Sequence, residues 1–274
     1  MLEFRGVSFV YAGPDGGTSA LRDVTLTLAE GELVVLLGRN GSGKSTLTLM
    51  ANGLLLPSSG EVLVDGMDTS AEETLWDVRS RVGVVLQNPD NQIVSTFVEE
   101  DVAFGPENLG IPRPEIRERV DGALAAVGLT GMERREPHTL SGGQKQRLAI
   151  AGALALQPVF LVLDEPTAML DPEGRADVLD VIKAQGLEGR GVLHVTHSLS
   201  DASRADRVVV LDAGSIVFDG SPTALLSDPS RLIELGLAIP PLGIMTSELR
   251  RLGVPIPPGA MDSDVLAEAL WPSV

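Results

Sequence analysis

The sequence predicts an α/β protein: a core of buried strands and helices with an antiparallel β part at its N-terminal end, an inserted helical lobe and a short C-terminal extension. Three observations carry this. Apolar runs of strand length at 33–37, 82–86 and 160–163 each lead into a glycine-rich, polar or acidic turn, and 192–197 (VLHVTH) reads as a further core strand, the mark of parallel strands covered on both faces. From about 97 to 156 the apolar spacing becomes helical, so a lobe is inserted into the core. Two alternating segments precede the first run, as expected of an antiparallel flap. The predicted parts are 1–96 with 157–220 for the α/β core, 97–156 for the helical lobe and 221–274 for the extension. In that extension Leu225, Leu226, Leu232, Ile233 and Leu235 are expected to pack.

Composition narrows the chemistry. With no cysteine, disulfides, thiol catalysis and thiolate metal sites are excluded, and three histidines, His138, His194 and His197, are too dispersed for an obvious zinc site. A formal charge of −17 disfavours a general nucleic-acid binder and unaided docking on anionic lipid. The first residues lack a basic segment followed by a long apolar one, and no apolar run approaches the roughly 18–20 residues of a membrane span. The expectation is a soluble intracellular protein that meets a membrane only through a partner.

In chain order, residues 2–11 form a strand that ends at Tyr11, the only tyrosine, before the loop 12–17. Its ring can stack on a purine or simply close the rim of the core. Val24, Leu26 and Leu28 give the second strand its apolar face. After the run 33–37 comes Gly38, Arg39, Asn40, Gly41, Ser42, Gly43, Lys44, Ser45 and Thr46, which matches G-x(4)-G-K-[ST] between a buried strand and a helix start. The glycines let successive N–H groups converge on one anion, and the helix aims its positive end at the same point. Lys44 supplies a point charge for the β- and γ-phosphates, and the Ser45 hydroxyl is placed to ligate Mg²⁺. Only three lysines stand among 21 basic residues, which weakens the alternative of a glycine turn that merely caps a helix.

Past this loop, 61–66 is a short strand and 82–86 a buried one. Gln87 follows at the carboxyl end of the latter, either a Mg²⁺ or water ligand or a solvated loop glutamine. Helices are expected at Val98–Asn108 and 114–127. A third is introduced by Leu140, Ser141, Gly142, Gly143 and Gln144, a helix N-terminus that is either a second anion site or an ordinary cap. The run 160–163 ends in Asp164 and Glu165: Asp164 is placed to orient a metal and Glu165 to accept the proton of an attacking water, unless the pair is only a solvated acidic turn. His197 closes another core strand near the expected γ-phosphate, whereas His194 reads as a packed core histidine.

Taken together, residues 1 to about 220 resemble the ATP-binding cassette (ABC) ATPases. Walker A at 38–46, the Gln87 loop, the signature 140–144 (LSGGQ), Walker B ending in Asp164 and Glu165, the Leu170–Asp171 loop and the His197 switch stand in family order. The resemblance implies a P-loop NTPase core that binds ATP and Mg²⁺, with Tyr11, Gln87, Ser141 and Asp171 among its nucleotide contacts. It also implies a head-to-tail dimer in which the signature of one subunit closes over the nucleotide held by the other. Within the family, residues 87–93 (QNPDNQI) and 102–110 (VAFGPENLG) resemble the ATPase subunits of energy-coupling factor transporters, importers of vitamins and of metal ions such as cobalt or nickel. A tail containing 255–258 (PIPP) and 264–270 (DVLAEAL) points the same way, while 166–171 (PTAMLD) mixes spellings of that group's two paired ATPase types. Implied partners are a second ATPase subunit, alike or different, a transmembrane coupling subunit received by a groove at 87–110, and a substrate-binding membrane subunit. The implied location is the cytoplasmic face of the cell membrane, as a peripheral protein. A soluble cassette ATPase acting on nucleic acid or ribosomes is the competing class, but such chains usually carry two cassettes or a long coiled-coil insertion, and the charge is wrong for it. A small-molecule kinase would have no use for the signature.

Overall fold

The alternating pattern of residues 2–11 buries Leu2, Phe4 and Val7 on one face, and the segment is strand β1 (Leu2–Tyr11). The computed structural model describes residues 1–13, 17–168, 170–226, 229–238, 241–256, 266–267 and 270–271. β1 pairs antiparallel with β2 (Thr18–Leu28) on one side and β4 (Ser59–Val64) on the other, with β5 (Met67–Asp68) at the edge. The register slips between Phe4 and Val7, where Gly6 has a φ of 58°, so the flap bends over the core.

The second sheet runs in the order β10, β9, β3, β8, β7, β6. β3 (Leu33–Leu37), β6 (Val82–Val85), β7 (Phe160–Asp164), β8 (Gly191–Thr196) and β9 (Arg207–Asp212) are mutually parallel, and β10 (Ser215–Gly220) closes the edge antiparallel to β9. All residues of β3, β6, β7 and β8 are buried, which is why their sequences are mostly apolar without alternation, with Asp164, His194 and Thr196 as the polar exceptions. Register brings the strand ends into line. Leu37 pairs with Thr196, Asp164 with Val195 and Val85 with Leu163, so the carboxyl ends of four strands share one edge. The residues after them meet there.

Helix α1 (Lys44–Met50) follows β3, and α2 (Leu75–Arg81) precedes β6. Within 97–156 the structure forms α3 (Val98–Asn108), α4 (Arg113–Ala126) and α5 (Gly142–Ala155), with a 3₁₀ turn at Pro137–Thr139. α4 begins one residue before the expected start, with Pro114 in its first turn, where a missing N–H costs nothing. Val120, Leu124, Leu148 and Ile150 of this lobe join one apolar cluster with Leu161 and Leu163 of β7. The other face of the sheet packs with α1 against the flap. α6 (Pro172–Leu187) starts at the N-cap Asp171.

The extension contributes α7 (Pro222–Leu226), α8 (Pro229–Glu234) and α9 (Pro241–Arg251). Leu225, Leu226 and Leu232 are buried and Leu235 partly so, but Ile233 is 68% exposed, against expectation. One residue on from Leu232 it is turned about 100° round the helix, onto the solvent side. Of the tail motifs, 257–258, 264–265 and 268–269 lie outside the described residues, as do Met169 of 166–171 and residues 14–16 of the loop after Tyr11.

Candidate functional site

The turn 38–43 is shaped by two glycines that nothing larger can replace. A Cβ on Gly38 would stand 2.3 Å from the Leu211 carbonyl oxygen, and one on Gly43, at φ 106°, would stand 2.4 Å from that of Ala20. Gly43 is also the N-cap of α1 and brings no side chain to occupy the helix's free N–H groups. Lys44 is only 6% exposed, and its Nζ donates to the carbonyls of Gly38 at 2.9 Å and Arg39 at 3.1 Å. Burial lowers its pKa, an effect opposed by the nearby charges of Glu165 and Asp164. The ammonium is held at the base of a cavity of about 480 Å³.

That cavity is lined by Tyr11, Asn40, Gly41, Gly43, Lys44, Ser45, Thr46, Gln87, Glu165 and His197, so residues up to 186 positions apart converge. The Tyr11 ring stands edge-on to Phe9 at 4.8 Å, and its hydroxyl hydrogen-bonds Thr46 Oγ1 at 3.1 Å, which fixes an aromatic wall at the mouth. Gln87 is exposed on the lining. Asp164 lies beneath, 4% exposed; burial raises its pKa, an effect opposed by the neighbouring Ser45 hydroxyl, and its Oδ1 is buried without a hydrogen-bond partner. A buried carboxylate oxygen left unpaired beside a hydroxyl is a donor set that fits a hard cation such as Mg²⁺.

Glu165 leaves the strand with φ 49°, an uncommon conformation for a side-chain-bearing residue, while its N–H still donates to the Val195 carbonyl at 2.8 Å. This turns a 7% exposed carboxylate toward His197, whose Nδ1 is 2.8 and 3.0 Å from its two oxygens. The carboxylate is thereby held at the mouth while keeping lone pairs for a water. His194, by contrast, is buried in β8 and its pKa is pushed down to about 4 by desolvation, so it is neutral at pH 7.

Ser141, Gly142 and Gly143 do not reach this cavity. They open a separate one of about 420 Å³ with Leu170, Asp171 and Gly174. Ser141 and Gln144 form a capping box: Gln144 N–H donates to Ser141 Oγ at 3.3 Å and Ser141 N–H to Gln144 Oε1 at 3.0 Å. Asp171 accepts from Gly174 N–H at 2.9 Å as the cap of α6. Of the loop residues, Gly38, Arg39 and Ser42 do not line the cavity: the Ser42 hydroxyl is buried and unpartnered, and the Arg39 side chain lies against Gly236 of the extension.

Three residues escape a sequence reading. Asp201, 3% exposed, takes Arg175 Nη2 at 2.6 Å, and the same nitrogen donates to Ser198 Oγ at 2.7 Å. Arg175 and Asp201 thus tie the first turn of α6 to the residue after His197. The signal was positional: each stands four residues beyond a motif residue, Asp171 and His197 respectively. Lys145 Nζ meets Asp90 Oδ1 at 2.7 Å and joins α5 to the Gln87 loop; scarcity of lysine was its only flag.

A family model described as ABC transporter matches residues 21–168. The energy-coupling factor transporter ATP-binding protein EcfA1 of Symbiobacterium thermophilum is 52% identical over 97% of this chain and 94% of its own length. The chain belongs to the ABC transporter family. Another EcfA1, from Clostridium perfringens, is 47% identical over 98% of this chain and 97% of its own length. Among solved structures, cbiO1 from Clostridium perfringens, described as part of the ABC transporter complex cbiONQ, superposes with a TM-score of 0.75 at 36% identity, covering 90% of this chain and 98% of that one. A dimeric ATP-binding cassette bound to ADP and Pi gives 0.74 at 30% identity, covering 81% and 99%. The chain is therefore an ABC ATPase of the energy-coupling factor type. The family match ends at 168, so Asp171, His197 and the extension lie beyond it, but the relatives span them.

Proposed function

We propose that this ABC ATPase is the ATP-hydrolysing subunit of an energy-coupling factor importer, working as a dimer that closes around two ATP molecules. The single observation that carries the reading is the division of the site. The cavity over Lys44 has a phosphate-gripping loop, an acid pair and a histidine but no signature residue, whereas Ser141, Gly142 and Gly143 stand in an open cavity of their own. A second copy of the cassette supplies what each cavity lacks.

In this reading the N–H groups of 38–45 and Lys44 grip the phosphates, Tyr11 stacks on the base, and Ser45, Asp164 and Gln87 hold Mg²⁺, directly or through water. Mg²⁺ bound there neutralises charge on the β- and γ-phosphate oxygens. Glu165 takes the proton of the attacking water, and His197 keeps the carboxylate aimed and senses the γ-phosphate. Ser141 and Gly143 seal the partner's nucleotide, with Asp171 at the junction. The core 1–96 and 157–220 carries the chemistry, while the lobe 97–156 moves the signature and, through the groove at 87–110, passes closure to a transmembrane coupling subunit that works with a substrate-binding membrane subunit. Among the described residues no helix is long and apolar enough to cross a membrane; in this reading attachment at the cytoplasmic face comes from those partners.

Glu165→Gln tests the mechanism. Loss of the base is expected to slow hydrolysis about 10²- to 10⁴-fold and to trap an ATP-bound dimer, seen as earlier elution on size exclusion in the presence of its ATPase partner. Affinity purification of the intact complex from membranes is expected to bring down small hydrophobic membrane proteins. A mutant that stays monomeric with ATP, or a preparation that recovers RNA in place of membrane subunits, sinks the proposal.

A further inference from the structure

Among the described residues the C-terminal extension meets the nucleotide loop at Arg39 and Gly236. Leu225, Leu226, Leu232 and Leu237 are buried in one cluster with Val35 and Leu37 of β3 and Val208 and Val210 of β9. β3 runs straight into Gly38, so the extension covers the strand that carries the loop. α8 then ends in a turn in which Gly236 N–H donates to the Ile233 carbonyl and Leu237 N–H to the Leu232 carbonyl, both at 2.9 Å, with Gly236 at φ 65°. A Cβ built on Gly236 would stand 2.8 Å from Arg39 Cδ and 3.4 Å from Arg39 Nη1. The arginine stem occupies the space that a side chain at 236 would need.

Arg39 is also bound to Lys44 through its backbone. Its carbonyl accepts from Lys44 Nζ at 3.1 Å, beside the Gly38 carbonyl at 2.9 Å. Ser42 is tied to the same point, since its N–H donates to the Arg39 carbonyl at 3.1 Å. We infer that the turn after α8 is a buttress for the nucleotide loop: by seating the Arg39 side chain it holds the carbonyls that orient Lys44, so affinity for the triphosphate depends on the extension. Arg39 and Gly236 are positioning residues in this device. It rests on 38–46 being the nucleotide site, and it makes the extension part of that site's rigidity.

The test is ATP titration of the full-length chain by calorimetry, paired with steady-state kinetics of the assembled transporter. Gly236→Asn keeps a residue that tolerates the left-handed conformation but displaces Arg39; Arg39→Ala removes the stem from an exposed position and so leaves folding intact. Each is expected to weaken ATP binding about threefold to tenfold, a change well within calorimetric reach. The double variant should be no weaker than either alone, because the two residues act through one contact. The loss should fall on the KM for ATP more than on kcat, and Arg39→Lys, which retains an aliphatic stem, should recover most of it. If Gly236→Asn folds poorly, Gly236→Ala takes its place in the cycle. Additive effects, or wild-type affinity in the 236 variant, overturn the buttress. Lys44→Ala serves as the control: if it leaves ATP binding intact, the nucleotide-site reading itself is what has failed.

Discussion

The two helix N-termini to which the proposed function assigns phosphate binding are prepared in different ways. α1 starts at a bare glycine, with Lys44 and Thr46 buried in its first turn and a tyrosine walling its cavity. α5 starts at Ser141 and Gln144, which already satisfy each other's N–H groups at an exposed surface beside Asp171. The first N-terminus has no capping side chain and opens on the cavity over Lys44. The second has two of its N–H groups, those of Ser141 and Gln144, engaged in the capping box. Under the proposed function a gripping end works in a single chain, whereas a sealing end acts only when another molecule is brought to it.

That contrast can be broken at several points. The largest effect on binding is expected from Lys44→Ala, which removes a charge-assisted donor worth about 1.5–3 kcal/mol and should weaken ATP binding to the isolated chain about tenfold to a hundredfold; unchanged affinity by calorimetry would dissolve the distinction. Next comes a consequence of dryness. His194 is protonated in the unfolded chain below its ordinary pKa of 6.5 but in the folded one only below about 4, so its contribution to stability is present above 6.5 and lost as pH falls. Between pH 7 and pH 5 the wild type should lose about 2 kcal/mol relative to His194→Gln, read from urea midpoints at each pH; parallel pH profiles would mean that the core under β8 is wetter than its burial implies. The smallest effect is expected from Ser141→Ala. It should leave ATP affinity of the single chain unchanged and slow dimer-dependent hydrolysis about tenfold, the loss of one charge-assisted hydrogen bond. An affinity change in the monomer would merge the two ends into one site.

The nucleotide loop was legible because its chemistry is local. Gly38, Gly43 and Lys44 act through a turn of a few residues, and a strand before and a helix after are enough to place them. The capping box at Ser141 and Gln144 was equally legible, since both partners lie within one helical turn. What stayed hidden depended on packing between distant segments: Arg175 on Asp201, Lys145 on Asp90 and Arg39 against Gly236. Ile233 shows the same limit on a small scale, because an apolar residue can be counted but the face it occupies is set by how α8 rolls against β3 and β9.

By itself the sequence determined the strand, turn and helix chemistry of each motif, the absence of thiol chemistry and the acidic character of the chain, since all of these reside in neighbouring residues or in composition. Only the tertiary structure decided that Leu37, Asp164 and Thr196 end on one edge, that Glu165 turns toward His197, and that the signature opens elsewhere. Strand order and register arise from hydrogen bonds between segments tens to more than a hundred residues apart, and no local spacing specifies them.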